Sequence, residues 1–520
     1  MIEQNNSAVK RVVIVGGGTA GWLVAASLAA HFDTSDQGFS VILVESDTVG
    51  TIGVGEGTWP SMRTTLNKIG ISETEFVRQC GASFKQGSQF RGWSQGGGES
   101  YYHPFSLPEQ FTSVNPWDWW QSTNSEADYA NTVSSQASVC EASKAPKQID
   151  MPGYAYALNY GYHLDAGKFA ELLRTHSTER LGVNHIVDHL VGVETDANDF
   201  LVGVRGEKSG LIEGDLFIDC SGFHAFLLNG YYGIGVNTEP SKYLFNDRAL
   251  AVQLPYENEQ SPIASVTLGT AHSAGWTWDI GLQHRRGVGR IFSSAHQTDD
   301  EAEAGLRDYV QQTAPHVKFD ELSPRQIKFQ SGFRDKFWHK NCVAVGLSAG
   351  FVEPLEASAL VLVELSAKFL CDHMPVDRQT MAITAKRFNA QFTYRWKEIV
   401  RFLKLHYVLN RRSDSEYWQA HRQTETSPDD LIELLALWHT RAPWHQDEGR
   451  VDDLFPSASY QYVLYGMGFE TKGNGHVKRH APNFDAVSRL RHQQEQKYLS
   501  HLPTNRELVQ QLLTREFRAP

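Results

Sequence analysis

Gly16-Gly17-Gly18-Thr19-Ala20-Gly21 has the GxGxxG spacing that lets a backbone wrap around a pyrophosphate. Gly16 permits the tight turn, Gly18 lets the main chain approach the phosphates, and Gly21 lets the following helix pack closely on the strand. Thr19 and Ala20 open that helix, whose free N–H groups and dipole favour an anion. Glu45 closes the next β-like run, Val41–Val44, where a carboxylate hydrogen-bonds an unphosphorylated adenosine ribose. The constellation reads as a site for FAD or NAD. A second signal favours FAD: Asp215-Leu216-Phe217-Ile218-Asp219-Cys220-Ser221-Gly222 is a buried strand ending in a small-residue turn. FAD-binding oxidoreductases often bring such a late strand back beside the first βαβ unit. A further glycine-rich stretch, Gly50–Gly57, includes Gly53 and Val54 and suits an extended cofactor.

Glu356 is the other residue whose surroundings suggest chemistry. A carboxylate among Leu355, Ala357, Ala359 and Leu360 is costly unless it is paired or functional. Lys85, taken alone, reads as a solvated lysine, and His103, Phe105, Trp276 and Trp278 each read alone as packing residues. Together, the aromatic residues suit a pocket for a flat ring.

The elements that must position these groups begin with a short β-branched run, Arg11–Val15, and an alanine-rich helix over about Gly21–His31. With Val41–Val44 they form a βαβ unit. Residues 87–150 are polar, glycine-rich and aromatic with weak periodicity, and are expected to be a long loop-bearing insertion. Tyr162–Arg180 reads as helix, and His185–Val193, Phe200–Gly206 and Leu211–Cys220 as short strands. Residues 245–295 alternate like antiparallel strands, Asn341–Gly346 is another buried strand, and helix dominates from about 355. The expected architecture is α/β: a FAD-binding core with substrate-sheet insertions over 1–375, and a mainly helical portion over 376–520.

The 520 residues carry 48 basic against 60 acidic side chains, a net charge of −12 that argues against nucleic acid or an anionic membrane as partner. Five scattered cysteines without CxxC read as reduced thiols, with no disulfide framework and no metal site. The polar opening MIEQNNSAVK is no signal peptide, and Leu347–Leu365 is interrupted by Glu353, Glu356 and Glu364, so no membrane span is expected. The expected location is the cytoplasm.

These residues together resemble the flavin-dependent tryptophan halogenases, in particular members that accept indoles other than free tryptophan. The resemblance rests on Val12–Trp22, Gly53–Thr58, Phe84-Lys85 and Tyr102-His103-Pro104-Phe105. It continues through Trp276-Thr277-Trp278-Asp279-Ile280 and Gly350–Glu356, in that order along the chain. It implies a FAD-dependent monooxygenase-like fold and FADH2 from a separate NAD(P)H-dependent flavin reductase. It also implies a halide, chloride or bromide, and a small aromatic substrate. Hypohalous acid made at the flavin would be directed by Lys85 and Glu356. Val187 and Leu347 would join the cofactor contacts, the Ser358 and Ala359 amides would hold halide, and His103, Phe105, Trp276 and Trp278 would line the ring pocket. Family members are often dimers, so a homodimer is an expectation of the same kind.

Two positions depart from the family pattern. Gly281 stands where the WxWxIP signature has proline, which is expected to loosen the barrier between flavin and substrate, and Ala357 stands where serine is usual. The C-terminal residues Trp438, Trp444, Tyr460 and Tyr462 do not carry an obvious clamp for an amino-acid end, which favours a smaller indole-type substrate. The alternatives are a flavin-dependent aromatic hydroxylase, which would not need Lys85 with Glu356 or a halide site, and a non-catalytic flavoprotein.

Overall fold

The computed structural model describes residues 8–32, 34, 38–47, 55–123, 128–447, 449–450, 453–473 and 484–518. Gly53 and Val54 lie outside the described residues. A six-stranded sheet forms the first layer, in the order Trp338–His339, Cys342–Ala344, Leu216–Asp219, Arg11–Val15, Ser40–Glu45, Asn184–Val187. Arg11–Val15 sits at its centre, paired in parallel with Ser40–Glu45 and Leu216–Asp219. Covered on both faces, it reads as an unbroken apolar run.

The helix Thr19–His31 packs against the helices Ala166–Glu179 and Ala359–Asp372. Trp22, Leu23, Val24, Ala25, Ala26, Leu28 and Ala29 are all buried, so its small side chains face neighbours on most sides. The run Asp215–Gly222 does return beside the first strand, as the sequence indicates.

A seven-stranded sheet forms the second layer, in the order Arg325–Lys328, Arg248–Pro255, Arg285–Phe292, Gly275–Gly281, Thr267–His272, Gly87–Arg91, Ser100–Pro104. Four of these strands are the alternating runs of 245–295. The last two correct the reading of 87–150 as loops. Gly87–Arg91 pairs in parallel with Thr267–His272 and antiparallel with Ser100–Pro104. Three helices follow, Pro116–Thr123, Tyr129–Val133 and Ser135–Glu141. Both faces of these strands are largely buried, which erases the period-two signal.

Tyr162–Arg180 also needs correction. Gly161–Leu164 is the middle strand of a small antiparallel sheet between Glu56–Gly57 and Ser83–Lys85, and the helix starts only at Ala166, capped by the Asp165 carboxylate. The chain after residue 355 is helical, led by the 31-residue helix Arg378–Val408. One continuous core runs from the first strand to Phe517.

Candidate active site

The glycine-rich turn is built for a close neighbour. A methyl group on Gly16 would lie 2.3 Å from the Cys220 carbonyl oxygen, and one on Gly21 would lie 1.9 Å from the Gly16 carbonyl oxygen. Both positions therefore demand glycine. Gly18 differs: among the described residues nothing lies within 4 Å of where its methyl would point, and no side chain caps the helix that follows it. The open face at Gly18 and the uncapped N–H groups of Thr19 and Ala20 suit a pyrophosphate.

Glu45 lies across Gly17, whose added methyl would meet the carboxylate, and its Oε1 is 2.7 Å from Nε2 of His185. Val187 pairs with Glu45 at the end of the neighbouring strand and is half-exposed. Leu347 lies in the turn Gly346–Ser348, whose first residue abuts Ala20. Gly16–Gly21, Glu45, Val187 and Leu347 all lie at the carboxyl ends of strands of the six-stranded sheet, an arrangement that suits FAD.

The second cluster centres on Lys85 and Glu356. Lys85 ends the strand Ser83–Lys85 and is fully buried. Its Nζ makes no hydrogen bond among the described residues and stands 5.2 Å from the centre of the Phe105 ring. Burial pushes its ammonium down to about 8, against the opposing pull of the Glu356 carboxylate. His163, on the adjacent strand, is held neutral by burial, with the Lys85 charge acting in the same direction.

Glu356 and Ala357 are consecutive residues in the left-handed region, with φ of 64° and 56°. Such a conformation costs roughly 1–2 kcal/mol per non-glycine residue, and strain of this kind collects at functional sites. The turn is held by the Trp59 indole N–H, which donates to the Glu356 carbonyl at 2.7 Å. Glu356 is 6% exposed, and its Oε1 lies 2.8 Å from Nδ1 of His103 and 3.2 Å from Nε2 of His406. Burial alone would raise its carboxyl. The two imidazoles outweigh burial and hold it well below the usual carboxylate range.

Nε2 of His103 lies 3.0 Å from the Ser459 hydroxyl, on the helix Ser457–Gly466, and its ring is flanked by Phe402 and Tyr462. Ser358 and Ala359 follow the strained turn at the start of Ala359–Asp372, a helix with no side-chain cap.

Lys85, Glu356, His103 and Phe105 thus converge. Trp276 and Trp278 do not join them directly. They are buried on the strand Gly275–Gly281, and Trp93 stands between Trp276 and His406, at ring distances of 6.0 and 6.1 Å. His406, Ser459, Trp59 and Phe402 escape a reading of the sequence. Each is an ordinary residue on a helix or turn, with no spacing that ties it to Glu356. The expectation that Gly281 loosens the backbone is not met. Gly281 is buried, its carbonyl accepts from Ser83, and a methyl there would lie 2.9 Å from the Tyr256 hydroxyl.

The six-stranded, mainly parallel sheet with its glycine-rich strand–turn–helix and the seven-stranded second sheet define a FAD-dependent monooxygenase-like α/β fold. The chain belongs to the tryptophan halogenase family, whose model matches residues 11–483. It is a flavin-dependent halogenase. It is 33% identical over 482 residues to the tryptophan 6-halogenase SttH of Streptomyces toxytricini, covering 88% of this chain and 89% of that one. The crystal structure of a tryptophan halogenase from Shewanella frigidimarina superposes with a TM-score of 0.94 at 42% identity, over 99% of both chains. BrvH, a flavin-dependent halogenase from Brevundimonas sp. BAL3, gives a TM-score of 0.83 at 32% identity over 97% of this chain and 99% of that one. Among the described residues no helix is long and apolar enough to cross a membrane.

Proposed function

We propose that this enzyme halogenates a small aromatic substrate of the indole type, with Lys85 and Glu356 directing the halogenating agent. The observation that carries the reading is the buried Lys85 ammonium, without a hydrogen-bond partner among the described residues and next to the Glu356 carboxylate. An unpartnered buried cation is unfavourable, and its retention favours a ligand-facing role.

Reduced FAD, when bound and supplied by a separate NAD(P)H-dependent flavin reductase, provides the electrons with which O2 oxidises chloride or bromide to hypohalous acid. The edge formed by Gly16, Gly18, Thr19, Ala20, Gly21, Glu45, Val187 and Leu347 would hold it. Lys85 then acts on the halogen species. As an ammonium it hydrogen-bonds the hypohalous acid and makes the halogen more electrophilic; as a free amine it takes the halogen onto nitrogen as the O–halogen bond breaks, the hydroxide leaving as water with the displaced N–H proton. Its lowered affinity for a proton makes both forms accessible near neutral pH. Glu356 accepts the proton that the ring loses. The N–H groups of Ser358 and Ala359 suit a halide, and His103 and Phe105 suit the face of an aromatic ring, with Trp276 and Trp278 in the aromatic layer behind.

The name of SttH states action on tryptophan at position 6, which supports an indole ring as the reacting group. Mass spectrometry of products from free tryptophan, indole and substituted indoles, each with chloride and with bromide, tests the substrate class. A halogenated indole is expected. Halogenation confined to non-indole aromatics would overturn it.

A further inference from the structure

His406 faces two acceptors at once. Its Nδ1 lies 3.0 Å from the carbonyl oxygen of Phe402, four residues earlier on the same helix. A carbonyl only accepts, so this nitrogen carries a proton. Its Nε2 lies 3.2 Å from Oε1 of Glu356. A neutral imidazole with its proton on Nδ1 would turn a lone pair toward a carboxylate oxygen inside a water-excluded site. His103 does not meet this conflict, because the Ser459 hydroxyl can donate to its Nε2 while its Nδ1 donates to Glu356. Both imidazoles act on Oε1, and no hydrogen bond reaches Oε2 among the described residues.

We propose that His406 is a positioning residue held as an imidazolium by Glu356 and the Phe402 carbonyl, so that the carboxylate finds its counter-charge on His406 and keeps Oε2 free for the proton released by the ring. The role rests on the reading that Glu356 accepts that proton: the ring C–H bond breaks, its electron pair restores the aromatic system, and the proton forms an O–H bond on Oε2. The titratable groups facing the pair are Lys85 on its strand, Tyr101 and His103 on theirs, and Tyr462 on the helix Ser457–Gly466.

The test is 15N spectroscopy of histidine-labelled enzyme, with the His406 signals assigned by their loss in His406→Gln. Both ring nitrogens of His406 are expected to remain protonated at pH 8. In Glu356→Gln, which removes the negative partner, Nε2 is expected to be found without its proton under the same conditions. An unprotonated Nε2 in the wild type at pH 8 overturns the proposal. A kinetic arm uses His406→Gln, which keeps a donor but cannot carry the charge, with circular dichroism as the fold control. The expected result is a kcat lowered by about a hundredfold with KM little changed. The pH dependence set by Lys85 is expected to move to higher pH, since the Glu356 carboxylate is then no longer matched by a charge on His406. An unmoved pH profile contradicts the role. If the wild type halogenates nothing, the reading of the site fails, while the spectra still decide the charge of His406.

Discussion

The Ser83 hydroxyl donates to the carbonyl of Gly281 at 2.5 Å, joining the strand that ends at Lys85 to the strand that carries Trp276 and Trp278. The same short strand is gripped from the other end of the chain. The Asn505 side chain accepts from the Phe84 N–H at 3.3 Å and donates to the Phe84 carbonyl at 2.9 Å. Lys85 is therefore fixed by residues roughly two hundred and four hundred positions away in sequence, although it makes no hydrogen bond of its own through Nζ among the described residues.

Asn505→Leu should uncouple that grip. It orphans the N–H and the carbonyl of Phe84 in a buried setting, at about 1–3 kcal/mol for each unsatisfied group. Thermal melts should fall, and kcat should drop while affinity for reduced FAD holds, because Lys85 and not the cofactor edge is displaced. Equal loss in both would show that the strand does not position Lys85 separately.

The two outer glycines of the turn should part company with the middle one. Gly16→Ala drives a methyl into the Cys220 carbonyl and should impair folding. Gly18→Ala meets no atom of the described residues and has an ordinary φ of −73°, so its melting temperature should match the wild type. Its affinity for FAD, read by fluorescence titration, should fall if the open face holds the pyrophosphate. Unchanged affinity would place the phosphates elsewhere.

Burial of Lys85 should also be visible as pH-dependent stability. Its ammonium is lowered from 10.5 to about 8 on folding, so the unfolded chain holds more protons between those values. Below pH 8 the native state carries the full cost, on the order of 3 kcal/mol, and that cost fades as pH rises toward 10.5. Lys85→Met should therefore be more stable than the wild type at pH 7, with an advantage that shrinks above pH 8. A pH-independent difference in chemical-denaturation midpoints would mean that the lysine is not depressed.

Lys85→Ala should abolish halogenated product, measured by mass spectrometry, while oxidation of reduced FAD by O2 continues, because the glycine turn and the lysine stand on different sheets. Surviving halogenation would remove Lys85 from the mechanism.

The sequence makes the parts with local signatures plain. Arg11–Val15, the glycine turn and Glu45 announce the dinucleotide edge because strand, turn and helix are contiguous. The antiparallel runs of 245–295 show their period. Gly87–Arg91 and Ser100–Pro104 do not, since burial on both faces removes the alternation that marks a strand. The leading residues of Tyr162–Arg180 pair as a strand because tertiary partners at Ser83–Lys85 and Glu56–Gly57 override local helical pattern. Of the site, Glu356 stands out by its apolar neighbours, but His406 and Ser459 come from helices whose own patterns say nothing about a carboxylate fifty or a hundred residues before them. Gly281 shows the same limit: its tight packing against Tyr256 depends on a loop that no local pattern reveals.

The central claim, that the lysine–glutamate pocket directs halogen and not oxygen to the ring, is tested most directly by turnover with reduced FAD, O2 and an indole, with and without bromide. A brominated indole is expected to appear only when bromide is present. A hydroxylated product formed equally well without halide would contradict it.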